Sequence, residues 1–205
     1  MKNKLGKIFI ISGALLLVSA ILLLGYNIYE NKNAQSSSEQ MLESVVNEIT
    51  KRANEKKQSS ENGDYTPVDP FNTEMTVVEI DGYKYIGYIS VPKLENLELP
   101  VMSEWNYDLL KKAPCRYTGS VKTNDLVLLG HNYTSHFGKL SRLTQGDELF
   151  FTDMDGAVHR YEVVGVEVLS GSSVKEMVSG EYDLSLFTCD YSGNNRFTVR
   201  CNKLE

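Results

Sequence analysis

The sequence predicts an all-β domain held behind an N-terminal membrane-spanning helix and a polar stalk. Three observations carry that prediction. Residues 8–24 form an uncharged apolar run, residues 30–75 are rich in Ser, Lys and Glu, and residues 76–205 consist of short β-branched and aromatic runs broken by turn signals. The chain therefore divides at 1–29, 30–75 and 76–205.

The first run reads IFIISGALLLVSAILLL, 17 residues without a charge, and continues through Ile28. That reaches the roughly 20 residues a helix needs to cross a bilayer. Lys2, Lys4 and Lys7 precede it. The positive-inside rule then puts the N-terminus in the cytoplasm and the remainder outside, so a single-pass protein of the cell membrane is expected. A cleaved signal peptide is the competing reading. The run is longer than the usual ~7–15 residues of such a segment, and no small-x-small site closes it.

In the stalk, Ser36 to Glu39 has the spacing of a helix capping box, and Met41, Leu42, Val45, Val46 and Ile49 recur at helical intervals. A helix with one narrow apolar stripe follows, able to pack on the domain, on a second copy or on nothing at all, and residues 58–64 read as a flexible link. Beyond it, residues 85–91, 125–129, 148–152, 158–168, 184–188 and 197–201 read as strands, with Asp153-Met154-Asp155-Gly156 as a hairpin loop. Only residues 105–113 and 174–178 read as short helices. Many short strands with little helix between them point to a barrel or a sandwich and away from an α/β sheet with helical crossovers.

Composition narrows the function. With 205 residues, 41% hydrophobic and 23% charged, the chain is ordinary globular material. A net charge of -6 argues against a nucleic-acid partner, which calls for a basic face. Cysteines at 115, 189 and 201 are too few and too irregular for a disulfide framework, no pair has metal-ligand spacing, and no cofactor is expected.

The chemistry concentrates near the C-terminus, in LFTCDYSGNNRFTVRC over residues 186–201. A strand, a Ser-Gly-Asn-Asn turn and a returning strand set Cys189 beside Arg196. The thiolate is the nucleophile, and a guanidinium suits the oxyanion of a tetrahedral intermediate. His131 follows the apolar run LVLLG and so sits where a strand leaves the sheet, the position for a general acid and base. The bland alternatives are a surface histidine, a solvated arginine and a cysteine that merely packs. Alternation puts Phe197, Val199 and Cys201 on one face and Arg196 and Arg200 on the other, so Cys201 reads as packing. Cys115, His136 and His159 are weaker candidates, the two histidines reading as exposed and idle.

These residues resemble the sortases, the Gram-positive surface transpeptidases. Leu186-Phe187-Thr188-Cys189 is similar to the family's Leu-x-Thr-Cys strand end, Arg196 to its downstream arginine, and Leu129-Gly130-His131-Asn132 to its Gly-His segment. Gly87 to Lys93, followed by Leu99-Pro100-Val101, resembles the opening of such domains. The resemblance implies an eight-stranded sortase-type β-barrel with Cys189 as nucleophile, His131 as general acid and base, Arg196 as carbonyl and oxyanion anchor, and Thr188 as a substrate-contacting helper. It implies cleavage of an LPxTG-like sorting signal on surface proteins through a thioester, and transfer to an amine of a peptidoglycan precursor or a pilin. Asp190-Tyr191 resembles class B sequences, whereas residues 170–183 are short for the class B helical insertion, and class B-like and class D-like assignments both stand. No acidic cluster marks a calcium site. A cysteine peptidase that passes its acyl group to water, and a non-catalytic assembly module, are the competing functions.

Overall fold

The computed structural model describes residues 2–61, 72–190 and 192–204. The chain falls into two compact units, Met1–Asn33 and Ala34–Glu205. Helix α1, Lys2–Glu61, begins in the first and ends in the second.

In the first unit the side chains of residues 6–28 are all exposed, and the most apolar window of the helix has a mean hydropathy of 2.7. This helix is long and apolar enough to cross a membrane. The two serines of the apolar run are satisfied internally, Ser12 donating to the Phe9 carbonyl at 3.0 Å and Ser19 to the Leu15 carbonyl at 2.9 Å, as an apolar medium would demand.

In the second unit, α1 buries Ala34, Ser38, Val45 and Ile49, one face at helical spacing. Val45 and Ile49 join Tyr85, Met102 and Met154 in an apolar cluster outside the sheet. Arg52 Nε donates to the Met154 carbonyl at 3.2 Å, and Lys56 Nζ meets Asp155 at 2.7 Å. Of the three fates open to the stalk stripe, packing on the domain is the one seen. Two expectations are corrected. Ser36 to Glu39 does not start a helix, because α1 runs through it, and residues 58–61 are helical where a flexible link was expected, while 62–64 lie outside the described residues.

The remaining chain forms β1 Val78–Ile80, β2 Tyr83–Val91, β3 Leu97–Met102, α2 Tyr107–Leu110, β4 Cys115–Thr118, β5 Leu126–Leu129, β6 Glu148–Asp153, β7 Val158–Ser170, α3 Val174–Met177, β8 Leu184–Cys189 and β9 Asn195–Lys203. Hydrogen bonding runs β2-β3-β4-β5-β8-β9-β7-β6, and β6 pairs back onto β2, so eight strands close a barrel. The short β1 adds a hairpin outside that ring, turning at Asp81-Gly82, both at positive φ. All pairings are antiparallel except β3–β4 and β5–β8.

The pleat sorts side chains into two layers. Leu126, Leu128, Leu184, Leu186, Val199 and Cys201 point into the barrel with Ile86, Ile89, Phe151 and Tyr161. Val127, Leu129 and Phe187 point outward, where α1 and the short helices cover them together with Leu110, Cys115 and Met177. Cys201 is packing, as its alternation implied.

Candidate active site

Three neighbouring strands end together at one rim. In the parallel pair β5–β8, Leu129 lies opposite Phe187, and the Gly130 amide still donates to the Phe187 carbonyl at 3.0 Å. His131 is two residues beyond Leu129, and Cys189 is two residues beyond Phe187, so the register sets them level. In the antiparallel pair β8–β9, Cys189 lies directly opposite Arg196. Cys189 shares the outward face of Phe187, and Arg196 that of Thr198 and Arg200, so thiol and guanidinium are cross-strand neighbours on one face.

Gly130 explains how β5 delivers His131. A Cβ at this position would stand 2.4 Å from the Phe137 ring, which plugs the barrel's end. Phe137 in turn is tied to the strand end by its amide, which donates to the His131 carbonyl at 3.1 Å. We expect Gly130→Ala to lower stability by about 1–3 kcal/mol through overpacking and to displace His131. A parental melting temperature together with parental turnover would contradict this close-packing account.

The loop after His131 is aromatic. The His131 ring stacks on Tyr133 with centroids 3.9 Å apart and planes at 11°, and Tyr133 meets His136 edge-on at 5.5 Å. His136, expected to be exposed, is fully buried. The next residues, Phe137–Arg142, form a 3₁₀ turn that the sequence reading did not anticipate. Burial pushes the His136 imidazole down to about 4, helped by the charge of nearby His131. The backbone of Ala34 and Lys112 faces the ring and softens that shift, yet neither ring nitrogen reaches hydrogen-bond geometry, so burial governs.

The folded protein thus holds His136 neutral, whereas the unfolded chain protonates it near pH 6.5. The stability from this neutral burial is complete above pH 6.5 and is lost as pH falls from there toward 4, amounting to on the order of 3 kcal/mol. Chemical denaturation from pH 7.5 to 4.5 should show this loss in the parent and a flatter profile in His136→Phe. Identical slopes would count against it.

Arg196 engages its own turn. Its Nη1 donates to the carbonyls of Gly193 and Asn195, both at 3.0 Å, within the β8–β9 turn. Asp190 organises the same turn, accepting from Ser192 Oγ at 2.8 Å and from Asn195 Nδ2 at 2.8 Å, contacts that hold its carboxyl below the usual range. Tyr191 lies outside the described residues.

A small cavity of about 170 Å³ opens beside the thiol, lined by Asn132, Phe137, Gly138, Ser141, Thr188, Cys189, Asp190 and Phe197. Thr188 is buried, and its Oγ1 has no hydrogen-bond partner among the described residues.

The other thiols differ. Burial raises Cys115 to about 12 and Cys201 further, which keeps both protonated, and only Cys189 is half-exposed. His159 binds Asp153 through Nε2 at 2.9 Å on the far side of β6 and takes no part in the rim. Among the described residues no three His, Cys, Asp or Glu side chains gather to hold a metal ion.

A closed eight-stranded barrel thus brings a half-exposed thiol level with an imidazole and opposite a guanidinium. The Sortase domain matches residues 89–204, more than half of the chain, and the protein belongs to the sortase family. No curated protein matches the sequence. Among solved structures, the chain is similar to a sortase D5 transpeptidase from Clostridium perfringens, at TM-score 0.61 and 18% identity over 83% of this chain and 99% of that one. It is similar also to sortase C1 from Streptococcus agalactiae, at 0.57 and 19% over 83% and 98%. Sortase C from Streptococcus pneumoniae follows, at 0.56 and 20% over 82% and 95%. At such identities these likenesses speak to the fold.

Proposed function

We propose that this protein is a membrane-anchored cysteine transpeptidase that cleaves an LPxTG-like sorting signal and transfers the acyl group to an amine. The observation that carries the reading is the rim itself: His131, Cys189 and Arg196 end three adjacent strands of a sortase-family barrel, beside a small apolar cavity. Cys189 Sγ attacks the threonyl carbonyl of the signal as its S–C bond forms. His131 protonates the departing glycyl nitrogen as the C–N bond breaks, leaving a thioester. An amine of a peptidoglycan precursor or a pilin lysine then attacks that thioester, His131 takes its proton, and the thiolate leaves.

Arg196 supplies donors to the oxyanion once its guanidinium exchanges the turn carbonyls for the substrate. Thr188 Oγ1 and the aromatic walls of the cavity, Phe137 and Phe197, receive a residue of the signal. Lys2, Lys4 and Lys7 hold the N-terminus in the cytoplasm, and residues 76–205 act outside the membrane as the catalytic domain, joined to the anchor, 1–29, by the stalk, 30–75.

The test incubates the full chain in detergent with an LPxTG peptide, alone, with hydroxylamine and with a diamine. Cleavage after threonine with a hydroxamate and an amide product is the expected result. Free acid alone, whatever amine is present, would mean a peptidase. No cleavage of this peptide or of a sorting-motif library would leave a non-catalytic assembly module.

A further inference from the structure

Ala34 of the stalk helix comes close to the loop that follows His131. Ala34 and Ser38 are each 3% exposed on the inner face of α1. The Ala34 backbone faces the His136 ring, and His136 is fully buried. His136 presents its ring to Tyr133 at 5.5 Å, and Tyr133 lies flat against His131 at 3.9 Å. A continuous stack therefore runs from the helix through two rings to the imidazole at the rim. The loop backbone is tight enough to transmit it: a Cβ at Gly138 would fall 2.4 Å from the Asn132 carbonyl oxygen and 2.7 Å from that of Tyr133.

We propose that Tyr133, His136 and the Ala34–Ser38 face of α1 are a positioning relay that sets the orientation of His131 and, through the flat tyrosine face, favours its charged form. The membrane-proximal helix is thereby a working part of the catalytic domain. The physical reason is that His131 stands beyond the last residue of β5, in the loop that Tyr133 and His136 share. A flat aromatic face restricts the imidazole to rotation in one plane, and its negative π-surface attracts the imidazolium that forms during catalysis. Tyr133 needs backing to serve as that wall. The buried His136 ring, 5.5 Å from Tyr133, supplies it, and the Ala34 backbone faces that ring.

This inference rests on the proposed role of His131 as acid and base. Its test uses the full chain in detergent with the LPxTG peptide and a diamine, comparing the parent with Tyr133→Leu, Tyr133→Phe and Ala34→Leu. Tyr133→Leu should lower kcat about tenfold with KM nearly unchanged and shift the limb of the pH–rate profile assigned to His131 downward by about half a unit. Tyr133→Phe retains the ring and should keep both. Ala34→Leu, which wedges the helix off His136, should lower kcat in the same way without touching the rim.

The position of a pH limb does not depend on how much protein is folded, so a merely structural effect would leave it in place. Should Tyr133→Leu fail to fold, the kcat and pH limb of Ala34→Leu decide. Parental kcat and an unmoved limb in the variants, with Cys189→Ala inactive, would overturn the relay and spare the enzymatic reading. Activity persisting in Cys189→Ala would instead overturn that reading.

Discussion

Cys189→Ala is expected to abolish both the hydroxylamine-trappable acyl product and transfer to the diamine, a loss on the order of 10⁴ or more. The expectation follows from exposure as much as from position. Cys115 is raised by burial to about 12, and Cys201 lies inside the barrel with its thiol pushed higher still, so neither supplies a thiolate at neutral pH. Cys189 alone is half-exposed, at the end of β8 and beside a cavity. Cys115→Ala and Cys201→Ala should retain activity, with a stability loss for the packing they remove. Alkylation of the native protein at pH 7 should mark one site, read by mass mapping as Cys189. Wild-type turnover in Cys189→Ala, or equal labelling of all three thiols, would remove the basis of the proposed function.

The largest effect on stability is expected at Arg200, which no part of the proposed chemistry uses. Its side chain is 3% exposed on the outer face of β9, beneath α3. Nε donates to Glu167 at 2.7 Å, Nη1 to Ser185 Oγ at 2.8 Å and to the Met177 carbonyl at 3.1 Å, and Nη2 to the Glu176 carbonyl at 2.5 Å. The guanidinium thus satisfies carbonyls that end the short helix α3, and it lies over the Tyr182 ring at 5.0 Å. Arg200→Ala strands these acceptors and opens a void, which should cost roughly 3–5 kcal/mol and about 10 °C in Tm. Arg200→Lys keeps the charge without the fork and should fall between. Glu167→Gln should cost less than about 1 kcal/mol, because that carboxylate is 42% exposed and solvent replaces the pairing. A melting temperature within ~2 °C of the parent for Arg200→Ala would show that the fork stabilises little.

Period-two patterns located most of the barrel. The strands read at 148–152, 158–168 and 184–188 appear within β6, β7 and β8, because each alternates a core-facing and an outer residue over its length. Three strands escaped. β3 reads LELPVM, and a proline inside a run argues against a strand, although Pro100 here stands in register opposite Tyr88, and β3 pairs on its other side with β4 only at Met102. β4 is four residues, CRYT, too short to show alternation. β1 is three residues, and the Asp81-Gly82 pair was the one local signal that marked its hairpin.

His136 was misjudged, and the burial of Arg200 went unread, for a shared reason. Sequence reading treats a lone histidine or arginine as solvated unless a partner is visible nearby. Their cover comes from residues about 100 and about 25 positions away: Ala34 for the first, Glu176 and Met177 for the second.

Cys189 and Arg196 were legible as neighbours because a short turn joins them, and chain connectivity leaves a hairpin little else to do. The apolar N-terminal run was legible for a similar reason, since length and absence of charge are properties of the chain itself. His131 is 58 residues from Cys189 in the chain, and only closure of the parallel β5–β8 pair makes them level. The tertiary structure alone decided the docking of α1, the burial of His136 and the engagement of Arg196 with its own turn. Local sequence dictates periodicity and turns. What covers a side chain depends on surfaces that meet only when the barrel closes.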